Sequence, residues 1–295
     1  MDAGAVTVRL PFRPPLHHPG LMAFLRARAV AGVEVVDGDT YRRSLRLPGG
    51  PAVAEVRPAV GSPHLECTLW PSDGRDVADA VQRLRRLLDL DADPSTVDTH
   101  LGADPLLGPL VRAAPGRRSP GAVDGEELAV RAVLGQQVSV AAARTLAGRL
   151  VKALGEPLPA PRGGVTHLFP DMPTLARAGE SRLPAMPSSR RRTLRALAAA
   201  AADGGVRLGP EEDPDEVTGR LLALPGIGPW TAGYIRMRAL ADGDVFLPTD
   251  AGVRNALLRL GVASDPGSAS DRARCWAPWR SYALHHLWAS AVGPA

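Results

Sequence analysis

Lysine is nearly missing from this chain. Lys152 is the single lysine among 35 basic residues, so the sequence pI near 9.6 rests on arginine, whose planar fork suits phosphate. Cysteine is as sparse: Cys67 and Cys275 stand far apart and match no zinc or iron–sulfur spacing. A reduced, intracellular protein is the plain expectation. Aromatic residues make up only 4% of the chain, so each one is worth accounting for. No stretch approaches 18 uninterrupted apolar residues, which argues against a membrane span. The opening "MDAGAVTVRLPFRPP" lacks the basic-then-apolar order of a secretory signal.

What is present fits an ordinary globular protein. At 295 residues the chain has room for two or three small domains, each with its own core. A hydrophobic share of 45% beside 22% charged residues is the usual balance, and no internal repeat is visible. The formal charge of +4 is modest, and arginine bias also follows from GC-rich coding. Charge alone therefore leaves nucleic-acid binding open.

The first part of the chain reads as mixed α and β. "TVRLPF" suits a strand, and "PGLMAFLRARAV" puts Leu21, Phe24, Leu25 and Ala29 on one side of a helix. Short β-prone runs from "VEVVDG" to "HLECTLW" follow, joined by Asp-Gly and Gly-Gly turns, which predicts an antiparallel meander. "DVADAVQRLRRLLDL" then has apolar residues at helical spacing. From about residue 98 onward the pattern is helical throughout. Ser139 is the expected N-cap of one helix and Ser188 or Ser189 of another, which Gly204 and Gly205 end. Pro/Gly-rich stretches such as "EPLPAPRGGV" are expected to be surface connections.

The ten residues "LPGIGPWTAG", Leu224 to Gly233, are the most informative. A hairpin this tight calls for backbone angles that a Cβ resists, and Pro229 suits the first position of the next helix. Amides near Gly226, Gly228 and Thr231 would then face outward from a helix N-terminus and take up a phosphate without reading sequence. A plain glycine-containing corner between helices is the simpler reading of the same residues.

"LPGIGPWTAGYIRMRALADGDVFLPTDAGVRNAL" resembles the helix–hairpin–helix plus Gly/Pro-Asp signature of the DNA glycosylase superfamily. It is most similar to the alkylpurine branch, the DNA-3-methyladenine glycosylase II (AlkA-type) enzymes. "RPPLHHPGLMAFLRARAV", "AVRAVLGQQVSVAAARTLAGRLV" and "CWAPWRSYALHHLW" resemble the same family in order and spacing, so the likeness covers nearly the whole chain. It implies a mostly α fold with an N-terminal α+β domain at 1–97 and two helical domains flanking a cleft. One helical domain takes in 98–124 and 242–295 with the catalytic Asp; the other is 125–241 with the hairpin.

The resemblance places the catalytic aspartate on Asp250, where a carboxylate stabilises the oxocarbenium character of a breaking N-glycosidic bond. "TDAGVRNAL" equally allows Asp250 to be only an N-cap. The family's base pocket falls on Trp230, Trp288, Phe24 and Tyr234, where a positively charged alkylated purine would be attracted to indole faces. Trp276 and Trp279 are left to the core. The wedge that replaces an extruded base falls on "GQQV", with Gln137 at the tip and Gln136 beside it. Some close relatives carry leucine at that tip, so glutamine is a departure. Trp230 stands where strand-cutting members carry a Schiff-base lysine, which implies base release without a lyase step.

The implied activity is hydrolytic release of 3-methyladenine, 7-methylguanine and similar bases from damaged double-stranded DNA in base excision repair. The implied setting is a cytoplasmic, nucleoid-associated monomer with no membrane partner and no cofactor. A structural monovalent cation on the carbonyls of Leu222, Leu224 and Ile227 is the one ion the family suggests; no catalytic metal is expected. A glycosylase for neutral lesions or mismatches (uracil, adenine, oxidised guanine) and a non-catalytic DNA clamp are the rival readings. An alkyl-transfer protein would need a reactive cysteine in a context neither Cys67 nor Cys275 has. The runs at Arg117–Arg118 and Arg190–Arg192 read as solvated faces or backbone contacts. The pairs His17–His18 and His285–His286 are expected at the surface or in the core rather than on zinc.

Overall fold

The computed structural model describes residues 4–291. Five strands come first: β1 (Val6–Pro11), β2 (Glu34–Asp37), β3 (Thr40–Leu47), β4 (Gly50–Pro58) and β5 (His64–Pro71). They form one antiparallel sheet in the order β1-β5-β4-β3-β2, the expected meander. Alternation sends Tyr41, Val56 and Cys67, paired across three strands, to one face. Helices α1 (His18–Arg28) and α2 (Val77–Leu88) cover that face with Leu21, Leu25, Leu84, Leu87 and Leu88. Each such leucine stabilises the fold by about 2 kcal/mol.

The opposite face of the sheet buries Val53 against a second, two-stranded sheet, β6 (Glu156–Arg162) and β7 (Val165–Leu168). The "EPLPAPRGGV" segment is therefore a β-hairpin, not an irregular connection. Gly163 and Gly164 both take positive φ (52° and 87°), as a two-residue hairpin turn of type I′ requires. Leu158 and Val165 point inward, and the prolines sit on a strand paired on one side only, where a missing N–H is tolerated.

The remaining helices make two further cores. The central one is built from α5 (Gly125–Leu134), α6 (Val140–Leu154), α7 (Met172–Arg177), α8 (Ser188–Ala202), α9 (Pro214–Leu222) and α10 (Pro229–Ala239). Ser139 caps α6 by accepting from the Ala142 amide. α8 differs from expectation: Pro187 is its N-cap, without a side-chain bond, and Ser188 is already helical. The Pro187 carbonyl takes the first intrahelical bond, from the Arg191 amide, so the helix starts one residue early.

The third core joins α3 (Pro94–Gly102) and α4 (Gly108–Ala113) to α11 (Ala251–Arg259), α12 (Pro266–Arg272) and α13 (Arg280–Ala291). Asp93 caps α3, so that helix begins ahead of the boundary expected at residue 98. Trp276 is fully buried there, and Trp279 packs against the same cluster.

Candidate active site

A cavity of about 390 Å³ opens where the three cores meet. Phe24, Trp230, Tyr234, Asp250 and Trp288 all line it, although they come from α1, α10, the turn before α11, and α13. Trp230 stacks nearly parallel on Tyr234, with ring centroids 5.4 Å apart. Trp288 tilts against Tyr234 at 6.4 Å.

Asp250 is held by three donors. Its Oδ1 accepts from the Val253 amide at 3.0 Å, the N-cap bond of α11, and from Trp288 Nε1 at 2.8 Å. Its Oδ2 accepts from Trp230 Nε1 at 2.9 Å. The N-cap reading of Asp250 is thus correct, and it is not exclusive: the same carboxylate faces the cavity. Gly252 makes the arrangement possible, since a Cβ there would stand 2.9 Å from Trp288 Cδ1 and 3.1 Å from Asp250 Oδ1.

Phe24 differs from a bare aromatic wall. The Arg28 guanidinium lies 3.8 Å from its ring centroid and that of Arg238 4.8 Å. Arg238 also donates to Tyr234 Oη at 2.9 Å and to the Gly121 carbonyl at 2.7 Å. Burial would raise the Tyr234 phenol, but the charges of Arg238, Arg28 and Arg131 outweigh it and hold the group below its ordinary range. Sequence reasoning missed these two pocket arginines, as it did Arg43, Arg131 and Arg144, which also line the cavity. An arginine on a helix usually reads as surface; the available signal is that Arg238 follows Tyr234, and Arg28 follows Phe24, by one helical turn.

The hairpin lies between α9 and α10. Gly226 takes φ +80°, and a Cβ on it would meet Thr193 Oγ1 at 2.0 Å, so this glycine is required by the fold. Gly228 does not share that need: its φ is −102°, with open space where a Cβ would stand. The first bond into α10 runs from the Ala232 amide to the Gly228 carbonyl, which leaves the amides before it, Thr231 among them, without an intrahelical acceptor. Thr231 as a whole is buried, and its hydroxyl accepts from Gln136 instead of facing out.

Gln137 is exposed in the loop between α5 and α6, with a left-handed φ of 56°. The Gln136 side chain turns toward the hairpin. Its Nε2 donates to the Gly226 carbonyl at 2.9 Å and to Thr231 Oγ1 at 3.0 Å, which ties it to the hairpin.

The arginine runs are mostly not solvated faces. Arg118 is buried and donates to the carbonyls of Ala92, Arg13 and Pro15, while Arg190 is buried and donates to the Gln136 carbonyl. Of those runs only Arg192 is exposed. Backbone carbonyls take up Arg118, Arg190 and Arg191, which no linear charge pattern shows, and Arg117 is half-buried. His285 and His286 are both buried, and no cluster of metal-ligating residues occurs among the described residues. No helix among them is long and apolar enough to cross a membrane.

Comparison with known proteins adds the following. The AlkA N-terminal domain family matches residues 7–124. The chain is 36% identical over 281 residues to "DNA-3-methyladenine glycosylase 2" of Escherichia coli (strain K12), covering 95% of each. It is 47% identical over 293 residues to a "Probable bifunctional transcriptional activator/DNA repair enzyme AlkA" of Mycobacterium tuberculosis. That match takes in 99% of this chain but 58% of the relative, so the chain spans little more than half of that protein's length. Among solved structures, a 3-methyladenine DNA-glycosylase from Archaeoglobus fulgidus superposes with a TM-score of 0.85 at 21% identity, covering 97% of this chain and 98% of that one. A Schizosaccharomyces pombe 3-methyladenine DNA glycosylase in complex with abasic DNA does so at 0.56 and 22%, over 65% of this chain and 95% of that one. The helix–hairpin–helix glycosylase fold is the one this chain adopts.

Proposed function

The chain belongs to the AlkA-type DNA-3-methyladenine glycosylase family, and from that premise we propose that it releases alkylated purines from duplex DNA by hydrolysis of the N-glycosidic bond. The observation that carries this reading is the carboxylate of Asp250, oriented by two indole N–H groups toward an aromatic cavity large enough for one purine. In the proposed reaction the hairpin amides grip a backbone phosphate, and the damaged nucleotide swings out of the stack. Its base enters between Trp230, Tyr234 and Trp288. Positive charge developing on the deoxyribose is stabilised by Asp250, which is fixed before the reaction and so needs no reorganisation. An N3- or N7-alkylated purine is already cationic and leaves without a strong general acid.

The released product is an abasic site in an intact strand. Lys152 is exposed on α6 and is not among the cavity's lining residues, so the cavity offers no lysine amine for a Schiff base. The family likeness gives the carbonyls of Leu222, Leu224 and Ile227 to a structural monovalent cation; Leu222 is the last residue of α9, and the Leu224 carbonyl also accepts from the Ile227 amide. A second reading is favoured by Arg28, which lines the same cavity: a guanidinium donor there suits a neutral base with a carbonyl edge, whereas Arg238 is already bonded to Pro120, Gly121 and Tyr234.

The test is release of bases from methylated duplex DNA, identified chromatographically, by wild type and Asp250→Asn. The expected result is methylated purines from wild type, at least about 100-fold less from the variant, and strands intact until alkali is added. Equal release by the variant, or cutting without alkali, overturns the proposal. Uracil- and hypoxanthine-containing duplexes in the same assay decide the second reading.

A further inference from the structure

Two loops far apart in sequence would have to act on DNA together: the hairpin after α9 and the loop after α5. Gln136 joins them. Its side-chain amide donates to the Gly226 carbonyl at 2.9 Å and to Thr231 Oγ1 at 3.0 Å, at the start of α10. Its own carbonyl accepts from Arg190, a guanidinium on α8 that is only 9% exposed. The same helix supplies Thr193, whose hydroxyl fills the space where a side chain on Gly226 would stand.

The next residue, Gln137, is exposed and sits at φ +56°, a region that residues with a Cβ enter at a cost. Such a backbone persists where its neighbours fix it, and Gln136 is the neighbour anchored at both ends. We infer that Gln136, pinned by Arg190, is a positioning residue that locks the wedge loop to the phosphate-gripping hairpin. Backbone capture and filling of the gap left by an extruded base then occur as one step. This inference rests on the glycosylase reading above.

Gly226 is exposed, so water replaces the bond to its carbonyl, and the single bond lost at the buried Thr231 hydroxyl leaves the packing of the fold in place. Gln136→Met keeps the length and loses the donor. With this variant the thermal midpoint and the affinity for undamaged duplex should stay near wild type. Single-turnover release of methylated purines should fall by about tenfold. A 2-aminopurine placed opposite an abasic-site analogue reports gap filling without any base release, and its fluorescence response should be lost in the variant. Arg190→Met should act on the same step, so the double variant should be no worse than the worse single variant.

A release rate within twofold of wild type, or a loss of undamaged-duplex affinity in proportion to rate, overturns the inference. If wild type releases no base, the glycosylase reading fails. The 2-aminopurine response of wild type against Gln136→Met still decides whether the two loops move as one.

Discussion

Asp250 illustrates how one side chain serves structure and chemistry together. Its Oδ1 caps α11 and also accepts from Trp288, while Oδ2 accepts from Trp230. Hydrogen bonds to a carboxylate are stronger than neutral ones, and three of them fix both its position and its rotation. Trp288→Phe keeps an aromatic ring and removes one donor. Base release in single turnover is expected to fall about tenfold, with a thermal midpoint close to wild type. An unchanged rate would mean that Trp230 and the Val253 amide suffice to orient the carboxylate. Each of the two tryptophans was identifiable in the sequence by likeness to the family. That their N–H groups converge on the aspartate was not, because the three residues sit on separate elements.

The hairpin makes the same point for elements. Gly226 and Gly228 look equivalent in "LPGIG", yet the fold needs only the first. Gly226→Ala combines a left-handed φ with a collision at Thr193, which should cost about 1–3 kcal/mol in chemical denaturation. Thr193→Ala should recover the collision part in the double variant and leave the backbone part. Gly228→Ala has room and an ordinary φ, so stability should hold within about 0.5 kcal/mol. DNA affinity should nevertheless drop, measured by fluorescence anisotropy, if a phosphate approaches the bare backbone there. Unchanged affinity would place the phosphate elsewhere. The β6–β7 hairpin shows the opposite limit. One buried leucine among three prolines gives no period-two signal, and only the sheet face that receives Leu158 makes it a strand.

For the whole molecule, the cavity depends on how three cores are held together. Glu34 on β2 and Glu127 on α5 share Arg43 and Arg131: Arg43 reaches Glu127 at 2.7 Å, and Arg131 reaches Glu34 at 2.9 Å and Glu127 at 2.8 Å. This buried network joins the sheet to the central helices beneath the cavity that all four residues line. The third core contributes a pH dependence. Burial pushes the His286 imidazole down to about 3 and holds His285 well below its usual range. An unfolded histidine titrates near 6.5, so below that pH the unfolded chain binds a proton that the folded chain refuses. Stability is therefore full above about pH 6.5 and falls as the pH drops, by about 2 kcal/mol at pH 5 for His286 alone. Thermal midpoints measured between pH 8 and 5 should fall in that direction, and His286→Gln should flatten the curve. A flat wild-type profile would show that the pair is hydrated.

The sequence by itself determined the meander, the order and placement of most helices, the N-caps at Ser139 and Asp250, and the aromatic residues and aspartate of the cavity. These follow from short-range signals, namely periodicity, turn chemistry and capping, or from motifs whose spacing survives in one dimension. The tertiary structure alone decided what those residues do to one another. It set the three bonds to Asp250, the two guanidiniums beside Phe24, the burial of Arg118 and Arg190, and the anchoring of Gln136 to the hairpin. Apart from the Val253 cap and the Arg28–Phe24 pair within α1, these join groups carried by different segments, and such contacts exist only after separate hydrophobic faces have packed.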